Sequence, residues 1–162
     1  MAKGTKSIMQ DKNTGQCYLC RLLHNDYSIK PVREEHHVMG GVANRRLSEK
    51  YGLKVYLDPD HHLYGLEAVH KSSKVAEILH KEAQKAFERT YPNLDFREIF
   101  GKNYLTENEI AFERNEKFRQ YVSKYCENRG IGVDEALRHE LVDSVRQQYE
   151  EGECLPVEEK KQ

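Results

Sequence analysis

Five of the eight histidines fall between positions 36 and 70, as the adjacent pairs His36-His37 and His61-His62 and the single His70. Imidazole is the commonest protein ligand for transition metals and the usual general base near neutral pH. Two pairs flanking a strand–turn–strand pattern, with a further histidine close behind, are hard to explain by composition alone. The plain alternative is an incidentally histidine-rich surface. Spacing adds a condition. His62 and His70 are eight residues apart, which on one straight helix is about 12 Å at a rise of about 1.5 Å per residue. Zinc–nitrogen bonds are only about 2 Å. Both can reach one metal only if Leu63 to Val69 loops, and Gly65 offers the break. Otherwise His61 or Asp60 completes the set.

The cysteines are Cys17, Cys20, Cys126 and Cys154. In an intracellular chain a Cys-x-x-Cys pair reads as metal-binding or redox before it reads as a structural disulfide. The bland reading of Cys17 and Cys20 is two reduced thiols in a packed turn. Cys126 and Cys154 are isolated and structurally incidental.

Charge is nearly balanced overall but unevenly placed. Residues 1–106 hold 17 Lys and Arg against 13 Asp and Glu, and residues 107–162 hold 9 against 14. A basic first part beside an acidic tail fits a polyanion-binding module with a separate helical attachment. Arg33, Arg45, Arg46 and Lys50, with Lys54, Lys71 and Lys74, are the candidates for phosphate contact. Taken singly, each is a solvated surface charge. Nothing here reads base edges, so binding to DNA is expected to be weakly sequence-specific. There is no apolar run of membrane-spanning length. Met1 to Gln16 is polar and lacks the apolar core of a secretory signal. Cytoplasmic residence follows as the default expectation.

The elements that must position these residues are short. Residues 1–15 look like a flexible leader, and Cys17 to Cys20 form a knuckle. Ser28 to Met39, with Ile29, Val32 and Val38, is expected to include a strand broken at Gly40-Gly41. Asn44 to Tyr51 is expected as a helix stopped at Gly52, with Asn44 at its start as a candidate N-cap. Leu53 to Leu57 is the best strand in the chain, and Asp58-Pro59-Asp60 ends it. Ser72 to Tyr91 carries Val75, Ile78, Leu79, Ala83, Ala86 and Phe87 at helical spacing, and Pro92 closes it. A short helix is expected over Asp95 to Phe100. One helix is expected over Glu107 to Asn128, capped at Gly130. A last helix is expected from Asp134 to about Tyr149, with Ala136, Leu137, Leu141, Val142 and Val145 on one face.

Together, Glu35-His36-His37-Val38, Gly40-Gly41, Asn44-Arg45, Ser48, Tyr51-Gly52, Val55-Tyr56-Leu57, His61-His62, Val69-His70 and the closing Phe100 to Leu105 resemble the HNH endonucleases of phage and mobile elements. The likeness runs roughly from Cys17 to Leu105. That resemblance implies the ββα-metal (His-Me finger) fold and hydrolysis of DNA phosphodiester bonds with one divalent ion: Mg, Mn, Ni or Zn. It implies His37 as the general base, His36, His62 and His70 as metal ligands, and Asn44 as the residue that orients the base. Neighbours on a strand face opposite sides, so Glu35 as ligand with His36 as base stays open beside it. The resemblance also implies a structural zinc. Where many such proteins have a second Cys-x-x-Cys, this chain has Asp58 and His61, so the implied set is Cys17, Cys20, Asp58 and His61. Cys, Cys, His and Asp can bind zinc, more weakly than four thiolates.

The expected fold class is α+β: a small ββα-metal core with a zinc-knuckle-like N-terminal turn, then several α-helices including a C-terminal helical hairpin. The expected organisation is a leader over 1–15, the nuclease domain over 16–105, a helical extension over 106–155 and a disordered tail over 156–162. The extension holds no nameable chemistry and is a candidate surface for a protein partner. The rival reading is a non-catalytic zinc module, using Cys17, Cys20, His61 and perhaps His62, with the helices as a nucleic-acid- or protein-binding scaffold. A metal-free nucleic-acid adaptor is a third.

Overall fold

The computed structural model describes residues 4–138 together with 147, 149, 150 and 152. The chain divides into two compact units, Met1–Leu105 and Thr106–Gln162. The class is α+β: the described residues form helices and one two-stranded antiparallel sheet, which lies in the first unit. No helix among the described residues is long and apolar enough to cross a membrane.

In the first unit, α1 (Tyr18–His24) precedes β1 (Glu34–His37), α2 (Val42–Tyr51) and β2 (Lys54–Leu57). The strands pair antiparallel, with His36 opposite Val55 and His37 opposite Lys54. Gly52 lets the chain turn from α2 into β2. It sits at φ 70°, and its amide closes the helix on the carbonyls of Glu49 and Ser48. A π-helical turn over Asp60–Tyr64 follows β2. Then come α3 (Ser73–Thr90) and α4 (Phe96–Phe100). Ser72 caps α3 by accepting from the Val75 amide, and Pro92 lies just past its end. The i, i+4 series Val75, Leu79, Ala83, Phe87 buries against Leu19, Leu53, Val55, Leu57, Phe96 and Phe100. This single apolar cluster is the platform beneath the sheet.

Three expectations change here. Residues 4–15, within the leader expected over 1–15, are not free. The Ile8 amide donates to Gly52, the Ser7 hydroxyl to the Lys54 carbonyl, and the Tyr56 amide to Gln10 Oε1. These bonds satisfy the outer edge of β2, which otherwise presents unpaired backbone groups. The strand sought over Ser28 to Met39 shrinks to Glu34–His37. Ile29 and Val32 are 76% and 57% exposed, and Ile29 forms only an isolated bridge to Gln16. Pro31 between them cannot donate to a ladder. Finally, α2 starts at Val42 with Gly41 as its cap, so Asn44 is the third helical residue and not the N-cap.

The second unit holds α5 (Glu107–Arg114), α6 (Glu116–Arg129) and α7 (Val133–Arg138). The single helix expected over Glu107 to Asn128 is two. Asn115 is extended, and its side chain accepts from the Phe118 amide to start α6. An asparagine that can cap competes with its own helical conformation. Thr106 and Glu109 form a capping box on α5. Phe112, Phe118, Val122, Tyr125, Cys126, Ala136 and Leu137 make a second apolar cluster. The expectations for Leu141, Val142, Val145, Cys154 and the tail over 156–162 lie outside the described residues.

Candidate metal centre

Four groups of side chains that could hold a metal ion come together among the described residues, and the two richest in Cys and His are separated by one peptide bond. The first is Cys17, Cys20, Asp58 and His61, whose donor atoms all lie within 4.8 Å of one another. Cys17 stands at the N-terminus of α1 and Cys20 one turn later. Asp58 follows β2, and His61 sits in the π-helical turn. His61 Nδ1 is 3.7 Å from Cys17 Sγ and 3.4 Å from Cys20 Sγ. Donors around a tetrahedral zinc ion stand about 3.3 to 3.8 Å apart, given bonds of about 2.0 to 2.3 Å. The set therefore fits a metal ion in donor type and in spacing, and both cysteines are buried.

The protein atoms already show how the set is held. The Cys20 thiol donates to Asp58 Oδ2 at 3.0 Å, and the His61 amide donates to Asp58 Oδ1 at 2.8 Å. Burial, and then the Asp58 carboxylate, push the Cys20 thiol up. Burial would raise Asp58 too, but the bonds from Cys20 and His61 outweigh it and bring Asp58 down to about 2. On the far side of the His61 ring, Nε2 is 3.9 Å from Glu67 Oε2, which is 2.7 Å from His24 Nε2.

The second set is His36, His62 and His70, again with all donor nitrogens within 4.8 Å. His62 Nε2 and His70 Nε2 are 3.3 Å apart. The His36 ring centroid is 5.3 Å from that of His62 and 5.1 Å from that of His70. The eight-residue gap closes because the chain folds back. The Gly65 amide donates to the Asp60 carbonyl, and the Val69 amide donates to the His61 carbonyl, both at 2.8 Å. Glu34 Oε2 meets His62 Nδ1 at 2.5 Å, leaving Nε2 for the other histidines. A carboxylate on the far nitrogen of a ligating imidazole fixes tautomer and ring angle. Burial, then the neighbouring His70, His62 and His37, lower His36 to about 3, which keeps it as the neutral ring, the form able to ligate a metal.

These imidazoles floor an open cleft of about 450 Å³ whose walls include His37, Met39, Gly40, Gly41, Val42 and Arg45. His37 shares the opposite strand face with Glu35. Its Nε2 meets Glu49 Oε2 at 2.8 Å. Lys54 Nζ lies 3.0 Å from Glu49 and 3.4 Å from Glu35, and the Tyr56 hydroxyl donates to Glu35. Glu35 is thus engaged away from His62 and His70. Asn44 is partly buried on α2, and among the described residues no hydrogen bond joins it to His37.

The basic residues divide. Arg45 lines the cleft, and Arg45 and Arg46 line the adjoining surface beside His37, Val42 and Glu49. Lys50 packs over the Tyr51 ring. The Arg33 guanidinium donates to the Lys30 and Lys12 carbonyls, and Lys71 donates to the Tyr64 carbonyl. Lys54 is buried in its ion pairs and is not a free surface cation.

Sequence reasoning missed Glu34, Glu49 and Glu67, each in contact with a histidine. Glu34 was within reach, since residues two apart on a strand share a face and His36 had been singled out. Glu49 and Glu67 come from a helix and a loop and carry no spacing signal. Comparison with family models, with curated proteins and with solved structures returns no match to this chain.

Proposed function

We propose that residues 16–105 are a ββα-metal nuclease module, with the Cys17–Cys20 turn as its zinc knuckle, and that it hydrolyses phosphodiester bonds in DNA. The observation that carries this reading is the convergence of His36, His62 and His70 on the floor of an open cleft, one residue from a closed four-donor set. Three protein ligands with an open side is the pattern of a catalytic ion, and four without one is the pattern of a structural ion. A divalent ion (Mg, Mn, Ni or Zn) on the three histidines would neutralise charge on the phosphate and on the departing 3′ oxygen. His37, on the wall of that cleft, takes one proton from the attacking water. The water oxygen bonds to phosphorus, and the bond from phosphorus to the 3′ oxygen breaks. Arg45 and Arg46 hold the flanking backbone by charge. Glu35 is occupied by Lys54 and Tyr56, which favours His36 as ligand over the Glu35–His36 alternative.

The test is cleavage of supercoiled plasmid in Mg²⁺, Mn²⁺ or Ni²⁺. His37→Ala is expected to slow cleavage by about 10²- to 10⁴-fold, the usual contribution of a general base. If wild type and His37→Ala leave the plasmid equally intact in all three metals, the reading fails.

A further inference from the structure

We infer that Glu49 is the positioning residue of His37, holding its Nε2 so that Nδ1 is the nitrogen turned to the attacking water. This rests on the nuclease reading above, because it concerns how that base is aimed. The role that the family resemblance gave to Asn44 passes to a residue five positions further along α2.

Geometry carries the case. Glu49 Oε2 meets His37 Nε2 at 2.8 Å. Glu49 cannot swing, because Oε1 accepts from the Thr5 amide at 2.8 Å and from Lys54 Nζ at 3.2 Å. Lys54 is only 4% exposed and stands directly opposite His37 in the strand register. The preceding residue, Ser48, is buried and accepts from the Met39 amide at 2.9 Å. Two successive residues of α2 are thus stapled to the chain that carries His37, one to its backbone and one to its ring. Glu35, His37 and Glu49 also form a set that could hold a cation. The Lys54 ammonium already stands against both carboxylates, 3.0 Å from the same Glu49 Oε2 that meets His37, so the cation there is the protein's own. An ionised carboxylate only accepts hydrogen bonds. The 2.8 Å contact therefore requires the proton on Nε2, and the lone pair on Nδ1 is what remains for the water proton.

The test uses the full chain loaded with Ni²⁺ or Mn²⁺. Glu49→Ala is expected to lower kcat by about 10- to 100-fold, the usual cost of losing such an outer partner, with KM and metal affinity within about twofold. Glu49→Gln, whose amide oxygen still accepts from Nε2, is expected to fall nearer wild type. In a His37→Ala background, adding Glu49→Ala is expected to change nothing further. A full kcat for Glu49→Ala, or a loss that adds in full to that of His37→Ala, overturns the inference. Nitrogen-15 NMR of the His37 ring, at mildly alkaline pH, gives a readout independent of cleavage. Wild type and Glu49→Gln should show the Nε2–H tautomer, and Glu49→Ala a mixture. An Nδ1–H tautomer in wild type refutes the positioning role even if the protein cuts DNA. Absence of cleavage alongside the Nε2–H tautomer removes the nuclease reading and leaves the Glu49–His37 clamp standing.

Discussion

Gly65→Ala is expected to weaken the three-histidine site while leaving the cysteine set intact. The φ of Gly65 is −70°, so the backbone itself tolerates a side chain. Space does not. An added Cβ would stand 2.8 Å from the Asp60 carbonyl oxygen, and ordinary contact begins at 3.4 Å, so the two must separate by about 0.6 Å. That oxygen is the one the Gly65 amide bonds at 2.8 Å. Stretching the bond by this amount takes it out of range and costs about 1 kcal/mol. The larger effect is on placement, since Gly65 is the point where the chain turns back to bring His70 to His62. Ligand distances tolerate errors of only about 0.2 Å. The expected loss is about 10- to 100-fold in affinity. Co²⁺ titration separates the sites. Thiolate coordination gives intense near-ultraviolet absorption, which reports Cys17 and Cys20, and calorimetry counts all the ions bound. Gly65→Ala should keep the thiolate band and lose tight binding of the second ion. Gly40→Ala, where nothing lies within 4 Å of the added carbon, should bind both as wild type does. Equal affinity of Gly65→Ala and wild type for both ions would refute the claim that this turn sets the His62–His70 distance.

Asp58→Cys should tighten zinc at the Cys17–Cys20–His61 set by about tenfold or more, because a third thiolate replaces a harder oxygen donor. Competition with a chromophoric chelator measures it, and unchanged affinity would remove Asp58 from the ligand set. Glu49 should contribute an acid-sensitive part of stability. The His37 bond, followed by those from Lys54 and Thr5, lowers it from 4.5 to about 2. A depressed carboxylate stabilises the fold at pH above its unfolded value and loses that contribution as pH falls through the folded one. The Tm difference between wild type and Glu49→Gln should therefore hold above about pH 4.5 and shrink steadily toward pH 2. A difference independent of pH would refute it.

Much of the frame was legible because it rests on local rules. The α3 helix follows from a four-residue apolar period, a serine cap and a proline beyond its end. β2 follows from five residues of strand type between a glycine and an aspartate. The α+β class came with them. What was not legible is long-range or competitive. Residues 1–15 look like a leader because the bonds of Ser7 and Gln10 are to backbone atoms of β2, more than forty positions away. The break at Asn115 depends on a cap that competes with a continuous helix, and periodicity alone favours the helix. For the site, residue types pick out the histidine cluster and the Cys-x-x-Cys pair; the sets His36, His62, His70 and Cys17, Cys20, Asp58, His61 are what the family resemblance implies, and the donor atoms of each lie together. Spacing says nothing of which face of β1 His37 takes or that Glu49 lies against it. That depends on how α2 crosses the sheet, a tertiary fact.

The π-helical turn has a consequence for how this chain can vary. His61 and His62 are successive residues, yet one faces Cys17 and Cys20 and the other faces His36 and His70. A π-turn holds one residue more than the α-turn it replaces. Deleting Pro59 or Asp60 would swing both imidazoles by roughly a quarter turn, so that neither faces its own set. Length variation should therefore avoid the residues ahead of His62. Sequences one residue shorter before it should be those that have given up both ions together.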